Sequence, residues 1–132
     1  MKIKKILLFF IFFSYSSFIH ANEYFCLKNP MSSNFLMVSS DFSHVMYAPY
    51  NKKIKLSKLI KKSVLDSSDE ESKPFYSLTY KEIINNKVTG EYVFNIQGYL
   101  IYSGSYKKNK KRKDINYFLV TREEQNLPDK CI

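Results

Sequence analysis

The residues with the clearest chemical potential form a run of cations between positions 107 and 113. Six of these seven side chains are basic, and the candidate anion-binding residues are Lys107, Lys108, Lys110, Lys111, Arg112 and Lys113. A cluster this dense attracts polyanions such as lipopolysaccharide phosphates, acidic phospholipid head groups or nucleic acid. The alternative is a solvated hairpin tip that keeps neighbouring edge strands from pairing with other molecules, and we favour it.

A second basic segment holds six lysines within the eleven residues from Lys52 to Lys62. The spacing of Leu56, Leu59 and Ile60 is compatible with a helix, which would lie on an anionic membrane surface. The alternation of Ile54 with Leu56 is compatible with a strand, whose lysines would form an ordinary solvated edge. We predict a strand near Ile54–Leu59, because the rest of the domain has a β pattern.

The inventory of catalytic and metal-ligating residues is poor. His44 is the only histidine after residue 21, and the pattern places it on one face with Phe42 and Met46, as in a packed residue. The carboxylates between Asp66 and Glu71 lie in a polar segment unsuited to the fixed geometry of paired catalytic acids. The sequence has no nucleophile elbow, glycine-rich phosphate loop or metal-ligand spacing. We therefore expect no enzyme activity, no metal site and no cofactor.

The two cysteines, Cys26 and Cys131, lie near the two ends of the chain. Two cysteines in an exported chain predict one disulfide, whereas metal ligation would need more ligands than the single histidine provides. Closing a loop of about 100 residues stabilises the folded state by about 4.7 kcal/mol in the chain-entropy description. The pairing requires that the N- and C-terminal segments lie side by side.

Residues 1–21 have the pattern of a secretory signal peptide. Three lysines in the first five residues precede the apolar run Ile6–Phe13, and Ala21 supplies the small residue before the cut. An uncleaved anchor would need about 20 apolar residues, which this segment lacks. A lipid-acceptor cysteine follows small residues, whereas Cys26 does not. We expect a periplasmic or secreted domain, residues 22–132, without a transmembrane segment.

The length and charge of the chain narrow the classes of protein that remain. The 132 residues carry a net charge of +9, and three of the 21 basic residues lie in the predicted signal peptide. The remaining 111 residues, with 18 basic and 12 acidic side chains, suffice for one domain with a core of its own. Large multidomain enzymes, polytopic membrane proteins and repeat arrays are excluded.

The strongest structural signal is a two-residue hydrophobic period. It occurs in Pro74–Ile84, Lys87–Ile96, Tyr99–Tyr106 and Asp114–Thr121, and more weakly in Asn34–Ser39 and Phe42–Ala48. Turns are predicted at Asn85-Asn86 and Gln97-Gly98. These runs predict an all-β domain of six to seven strands, an antiparallel meander that curls into a barrel or sandwich. Gly90 and Gly104, inside strand patterns, predict bulges or sharp bends.

The segment Tyr80–Phe118, with Lys87-Val88-Thr89-Gly90 and the Gln97-Gly98 turn, resembles small exported β-rich proteins of Gram-negative bacteria that have no assigned activity. The likeness covers about a third of the chain and concerns strands and turns. The resemblance implies a β-rich fold and export from the cytoplasm. It identifies no functional residue.

These features favour an exported, non-catalytic binding protein of the bacterial envelope, of the immunity or inhibitor type, whose partner is another protein. One alternative is a small-ligand carrier with a barrel-like interior. Another is a protein that binds an anionic envelope surface through the basic run at 107–113. Export argues against nucleic acid as a partner.

Overall fold

A computed structural model describes residues 24–65, 74–111, 113–120, 124 and 127–131. Every regular element in these ranges is a β-strand, and none of the described residues forms a helix long and apolar enough to cross a membrane. The strands are β1 (Tyr24–Lys28), β2 (Phe35–Ser39), β3 (His44–Ala48), β4 (Lys52–Leu56), β5 (Lys61–Leu65), β6 (Phe75–Ile84), β7 (Lys87–Gln97), β8 (Leu100–Lys108) and β9 (Ile115–Leu119). The predicted signal peptide and the polar segment Asp66–Lys73 lie outside the described residues.

The strands form an antiparallel barrel of eight strands, with β5 as an additional strand. Neighbours along the chain are neighbours in the sheet, except that β4 and β5 both pair with the same edge of β6. Two short pairings close the barrel, β1 with β9 and β4 with β6, and each has only two residue pairs in register. The predicted antiparallel meander is therefore confirmed, and it takes the form of a barrel.

Residues 57–60 are irregular and interrupt the pairing with β6, and strand β5 then continues along β6. We call this irregular segment the break. The break stays attached to β6, because the backbone N–H groups of Ser57 and Ile60 donate to the carbonyls of Lys81 and Thr79, each at 2.9 Å. None of the described strands pairs with the other edge of β5. The barrel therefore carries one half-free strand beyond its closed part.

The predicted number of six to seven strands is too low, because β1 and β5 carry no clear period-two signal. Both faces of β1 are apolar, since the inner face packs in the barrel and the outer face lies under the C-terminal segment. Most of β5 is exposed, with hydrophobic Val64 69% accessible. The strand predicted near Ile54–Leu59 is β4, which begins and ends earlier because Leu59 belongs to the break.

Side chains from all eight barrel strands fill the interior. The buried cluster consists of Leu27, Leu36, Val38, Val45, Leu56, Leu78, Tyr80, Tyr92, Phe94, Ile101 and Tyr117. Its aromatic rings contact one another, with centroids 5.7 Å apart for Tyr92 and Phe94 and 4.6 Å apart for Tyr92 and Tyr106. An eight-stranded barrel has an interior just wide enough for such side chains to fill.

Phe42, in the turn between β2 and β3, closes one end of this interior. Its φ of 58° places a bulky residue in the left-handed region, which is uncommon for residues other than glycine, asparagine and aspartate. The ring stacks on Tyr80 at 5.3 Å with an interplanar angle of 3°, and it contacts Phe94 at 5.8 Å. The backbone conformation therefore turns the ring into the barrel.

The two strand glycines make room for aromatic rings. A Cβ on Gly90 would lie 2.6 to 2.9 Å from atoms of Tyr106, and a Cβ on Gly104 would lie 3.1 Å from Phe94. One bulge lies in β7, where Thr89, next to Gly90, is the extra residue opposite Glu82 and Ile83 of β6, as predicted for Gly90. The second bulge lies in β8, where Tyr102 is the extra residue opposite Asn95 and Ile96 of β7, and not at Gly104.

A second apolar cluster covers the outer face of β1, β2 and β3. It consists of Tyr24, Cys26, Phe35, Met37, Met46 and Ala48, with Val120, Leu127 and Cys131 packed against it. The predicted pairing of Cys26 with Cys131 is confirmed, with Cα atoms 5.6 Å apart. The backbone N–H of Tyr24 also donates to the carbonyl of Lys130 at 3.1 Å. The C-terminal segment is thus held across the outside of the barrel.

We predict that Phe42→Ala lowers the free energy of unfolding by about 2–4 kcal/mol, because the stacked ring is lost. Phe42→Gly also loses the ring, but it relieves the left-handed backbone, which costs other residues about 1–2 kcal/mol. The glycine variant should therefore be the more stable of the two in urea unfolding. The reverse order would show that the backbone conformation at Phe42 is not strained.

Candidate functional site

The predicted anion-binding run lies at the tip of the β8–β9 hairpin. Lys107 and Lys108 are the last residues of β8, and Lys110 has a φ of 63° in the turn that follows. We call the five described lysines of this run the basic end; they are Lys107, Lys108, Lys110, Lys111 and Lys113, and all five are exposed. Arg112 lies outside the described residues.

Hydrogen bonds hold the basic end against the neighbouring β6–β7 hairpin. The side-chain amide of Asn109 donates to the carbonyl of Val88 at 2.7 Å, and its backbone N–H donates to the carbonyl of Thr89 at 3.1 Å. The turn of that hairpin, Asn85-Asn86, has positive φ at both residues, as predicted, and Lys87 follows it. The lysines therefore project from a fixed turn at one end of the barrel.

Within the described part of the chain, no carboxylate forms an ion pair with the lysines of the basic end. Among the described residues the ion pairs within 4.0 Å are Lys28 with Glu124 and Lys81 with Glu91. Glu91 faces Lys107 across the β7–β8 pairing, but its carboxylate is engaged by Lys81. The basic end therefore keeps its positive potential for an external partner.

The second basic segment divides between β4, the break and β5. All six lysines from Lys52 to Lys62 are exposed, and the helical alternative is not realised. The ammonium of Lys62 lies 4.1 Å from the centre of the Tyr76 ring, a cation–π contact. Lys61 and Lys62 lie along the side of the barrel opposite Thr79 and Leu78, whereas Lys55 lies opposite Ile83, near the β6–β7 turn that adjoins the basic end.

His44 is half-buried on the outer face, where hydroxyl groups engage both ring nitrogens. Its Nε2 lies 2.7 Å from the Tyr24 hydroxyl and its Nδ1 lies 2.9 Å from Ser43 Oγ. Burial, followed by the charge of Lys53, lowers the pKa of His44 below its ordinary value. The predicted face shared with Phe42 is wrong, because the left-handed conformation sends Phe42 into the barrel. The imidazole connects β1 to β3 across β2.

A buried carboxylate, Glu82, lies inside the barrel and is not among the residues predicted from the sequence. Glu82 is 4% exposed and accepts hydrogen bonds from Thr89 Oγ1 at 2.7 Å, Tyr106 OH at 2.8 Å and Tyr92 OH at 3.1 Å. The Tyr92 hydroxyl in turn contacts the hydroxyl of Tyr47. A signal was present, since the two-residue period of β6 places Glu82 on the same face as Tyr80.

This carboxylate and the low-polarity interior act together on the tyrosines. Burial, with the neighbouring Glu82 or other tyrosines as a lesser cause, raises the pKa of Tyr47, Tyr92, Tyr106 and Tyr117 above 10.0. Their hydroxyls therefore stay protonated and remain donors to the cluster. The arrangement satisfies a buried acid and stabilises the fold, and its polar atoms all have partners within the barrel.

A groove of about 620 Å³ runs between the outer face of β2, β3 and β4 and the C-terminal segment. Its floor includes Phe35, Met37 and Met46, and its rim includes Lys53 and Lys130. The described residues contain no group of three or more His, Cys, Asp or Glu side chains that could hold a metal ion. The basic end and the groove are thus two surface features of the described residues that are open to solvent.

Comparison with protein-family models, with curated proteins and with solved structures finds no match to this chain.

We predict that an alkaline titration detects the buried tyrosines. Because folding raises their pKa values, their contribution to stability is complete below about pH 10 and is lost as the pH rises further. Phenolate absorbance of the folded protein should therefore lag behind that of the protein in urea by six tyrosines, since burial also raises the pKa of Tyr24 and Tyr80. Folded and unfolded titration curves that superimpose would show that these hydroxyls are open to solvent.

Proposed function

We propose that the protein is an exported, non-catalytic binding protein of the bacterial envelope whose basic end contacts an anionic surface. The observation that carries this proposal is the set of five exposed lysines on a hydrogen-bonded hairpin tip, without a carboxylate partner among the described residues. Each lysine near an anionic membrane surface contributes about 1 kcal/mol of attraction. The predicted signal peptide and the disulfide support the proposal that the protein is exported.

The arrangement of the titratable groups supports the non-catalytic part of the proposal. Glu82 is enclosed by three hydroxyl donors, and both nitrogens of His44 are already engaged by hydroxyl groups. Glu82 has no open position for a substrate. His44 contacts the Ser43 hydroxyl, but its other nitrogen is engaged by the Tyr24 hydroxyl rather than by the carboxylate that orients a catalytic base. Rings that fill the barrel also weaken the alternative of a carrier with an interior ligand cavity.

We predict that replacing the six cations Lys107, Lys108, Lys110, Lys111, Arg112 and Lys113 with glutamine lowers affinity for phosphatidylglycerol vesicles at least 100-fold. Binding of the unmodified protein should also weaken steeply with salt, because the Debye length falls to about 8 Å at 0.15 M. Vesicle co-sedimentation measures both effects. The exposed lysines lie away from packed positions, so stability should change by no more than about 0.5 kcal/mol for each.

The matched control replaces the six lysines of the second basic segment, Lys52, Lys53, Lys55, Lys58, Lys61 and Lys62, with glutamine. Both variants lose the same net charge, so a difference between them reports where the charge lies. The control should keep most of the vesicle affinity. Equal losses in the two variants, or binding that does not respond to salt, would contradict the assignment to the basic end.

A second candidate function, recognition of another protein, rests on the free edge of β5. Exposed apolar side chains accompany this edge, with Ile60 56% and Val64 69% accessible, and Lys61 and Lys62 flank them. An unpaired strand edge offers backbone N–H and C=O groups to an incoming strand. Charge complementarity favours an extended segment whose glutamate or aspartate residues alternate with apolar ones.

We predict that a synthetic peptide of alternating glutamate and valine slows amide hydrogen exchange in Lys61–Leu65, because it pairs with the free edge. A peptide of alternating lysine and valine is the charge control and should have no effect. Replacing Ser63 with proline should abolish the protection by the acidic peptide. Protection by both peptides, or by neither, would show that the edge of β5 does not recognise an acidic strand.

A further inference from the structure

The groove on the outer face has an apolar floor that provides no hydrogen-bonding side chain. Phe35, Met37, Met46 and Ala48 line this floor and are each at most 7% exposed, and Pro49 and Pro128 add apolar surface to the walls. Methionine side chains are flexible and polarisable, so they adapt to the shape of an apolar guest. The volume of about 620 Å³ lies within the range of small-molecule sites, about 300–1,000 Å³.

The backbone beneath the floor limits the kind of guest that fits. Strand β2 pairs with β1 on one side and β3 on the other, and β3 pairs with β2 and β4. These strands therefore have no free edge for a peptide, whose own N–H and C=O groups would be left without partners on the apolar floor. A hydrocarbon chain carries no such groups, so it loses no hydrogen bonds when it lies on this floor.

The rim of the groove has a net positive charge. Lys53 lies opposite Met46 in the β3–β4 pairing, which places its ammonium on the outer face beside the floor, and Lys130 lies on the opposite wall. Asp129 is the acidic residue on this rim, and Ser33 and Asn51 add uncharged polar groups. An acidic head group therefore meets two cations and one anion where the groove opens.

We propose that this groove binds a single-chain amphiphile with an anionic head group, a monomeric long-chain carboxylate. The alkyl chain lies on Met37 and Met46, and the carboxylate lies between Lys53 and Lys130. This site is separate from the basic end and does not depend on the proposed function. The two sites have different requirements, since one needs only surface charge and the other needs a chain of defined length.

The disulfide fixes one wall of the site. Cys131 is joined to Cys26, which lies beside the floor opposite Met37, and its backbone N–H donates to the carbonyl of Pro128 at 3.1 Å. The wall residues 128–130 are therefore attached to β1 at a set distance from β3. The groove exists only while this segment is held against the barrel.

The test is a titration of the full chain, labelled with ¹³C at the methionine methyl groups, with octanoate, decanoate and dodecanoate below their micelle concentrations. The methyl signals of Met37 and Met46 should shift, whereas Met31, which is 92% exposed and does not line the groove, serves as an internal control. Affinity should rise by up to about fourfold for each methylene added. Unchanged Met37 and Met46 signals would overturn the site.

Two sets of variants test separately the binding of the alkyl chain and the binding of the head group. Ser33→Trp obstructs the groove from an exposed rim position and should abolish binding, whereas Met31→Trp in the same loop should not. Replacing Lys53 and Lys130 with glutamine should weaken decanoate about three- to tenfold and leave decanol unchanged. Equal affinity for decyltrimethylammonium would overturn the anionic head group.

A final comparison distinguishes this site from the basic end. The glutamine variant of residues 107–113 should bind decanoate normally, and Ser33→Trp should bind phosphatidylglycerol vesicles normally. Vesicle binding that depends on Ser33, without binding of monomeric carboxylate, would reject the monomeric ligand and point to a membrane surface instead.

Discussion

The structure depends on closing the barrel between its first and last strands. Most pairings in the meander join consecutive strands through a connecting turn, and the β4–β6 pairing spans only β5 and its flanking segments. The β1–β9 pairing has no such turn, it joins segments about 90 residues apart, and only two residue pairs are in register. The link from Cys26 to Cys131 and the Tyr24–Lys130 backbone bond reinforce this seam, and the same contacts shape the groove outside it.

The interior carries a second constraint, a buried acid that must be satisfied. Removing a carboxylate from water is costly unless hydrogen bonds replace the lost hydration. Glu82 obtains three donors from β7 and β8, and Gly90 permits the close approach that brings the hydroxyl of Tyr106 within reach. The network therefore favours the observed register of β6, β7 and β8, because a shifted register would leave the carboxylate without its donors.

The sequence predicts the long hairpins well, because β6, β7 and β8 have one face inside and one outside and the turns carry residues that accept positive φ. It also predicts that the basic run lies at a hairpin tip and that the cysteines pair. It does not predict β1, whose two faces are both covered, or the cluster around Glu82, whose donors come from three positions on two other strands. It does not predict the groove either, since that cavity arises only when the C-terminal segment crosses strands far from it in the chain.

The closeness of Tyr24 to Cys131 gives the fold the topology of a ring. The order of strands around the barrel is the order along the chain. The packing therefore does not dictate between which two strands the chain begins and ends. A circularly permuted chain, joined across the β1–β9 seam and opened at the Gly98 turn, specifies the same barrel. Its contact order differs, because the most distant pairing becomes local and β7 with β8 becomes the distant one. Such a permutant would separate the effect of topology on folding rate from the effect of composition.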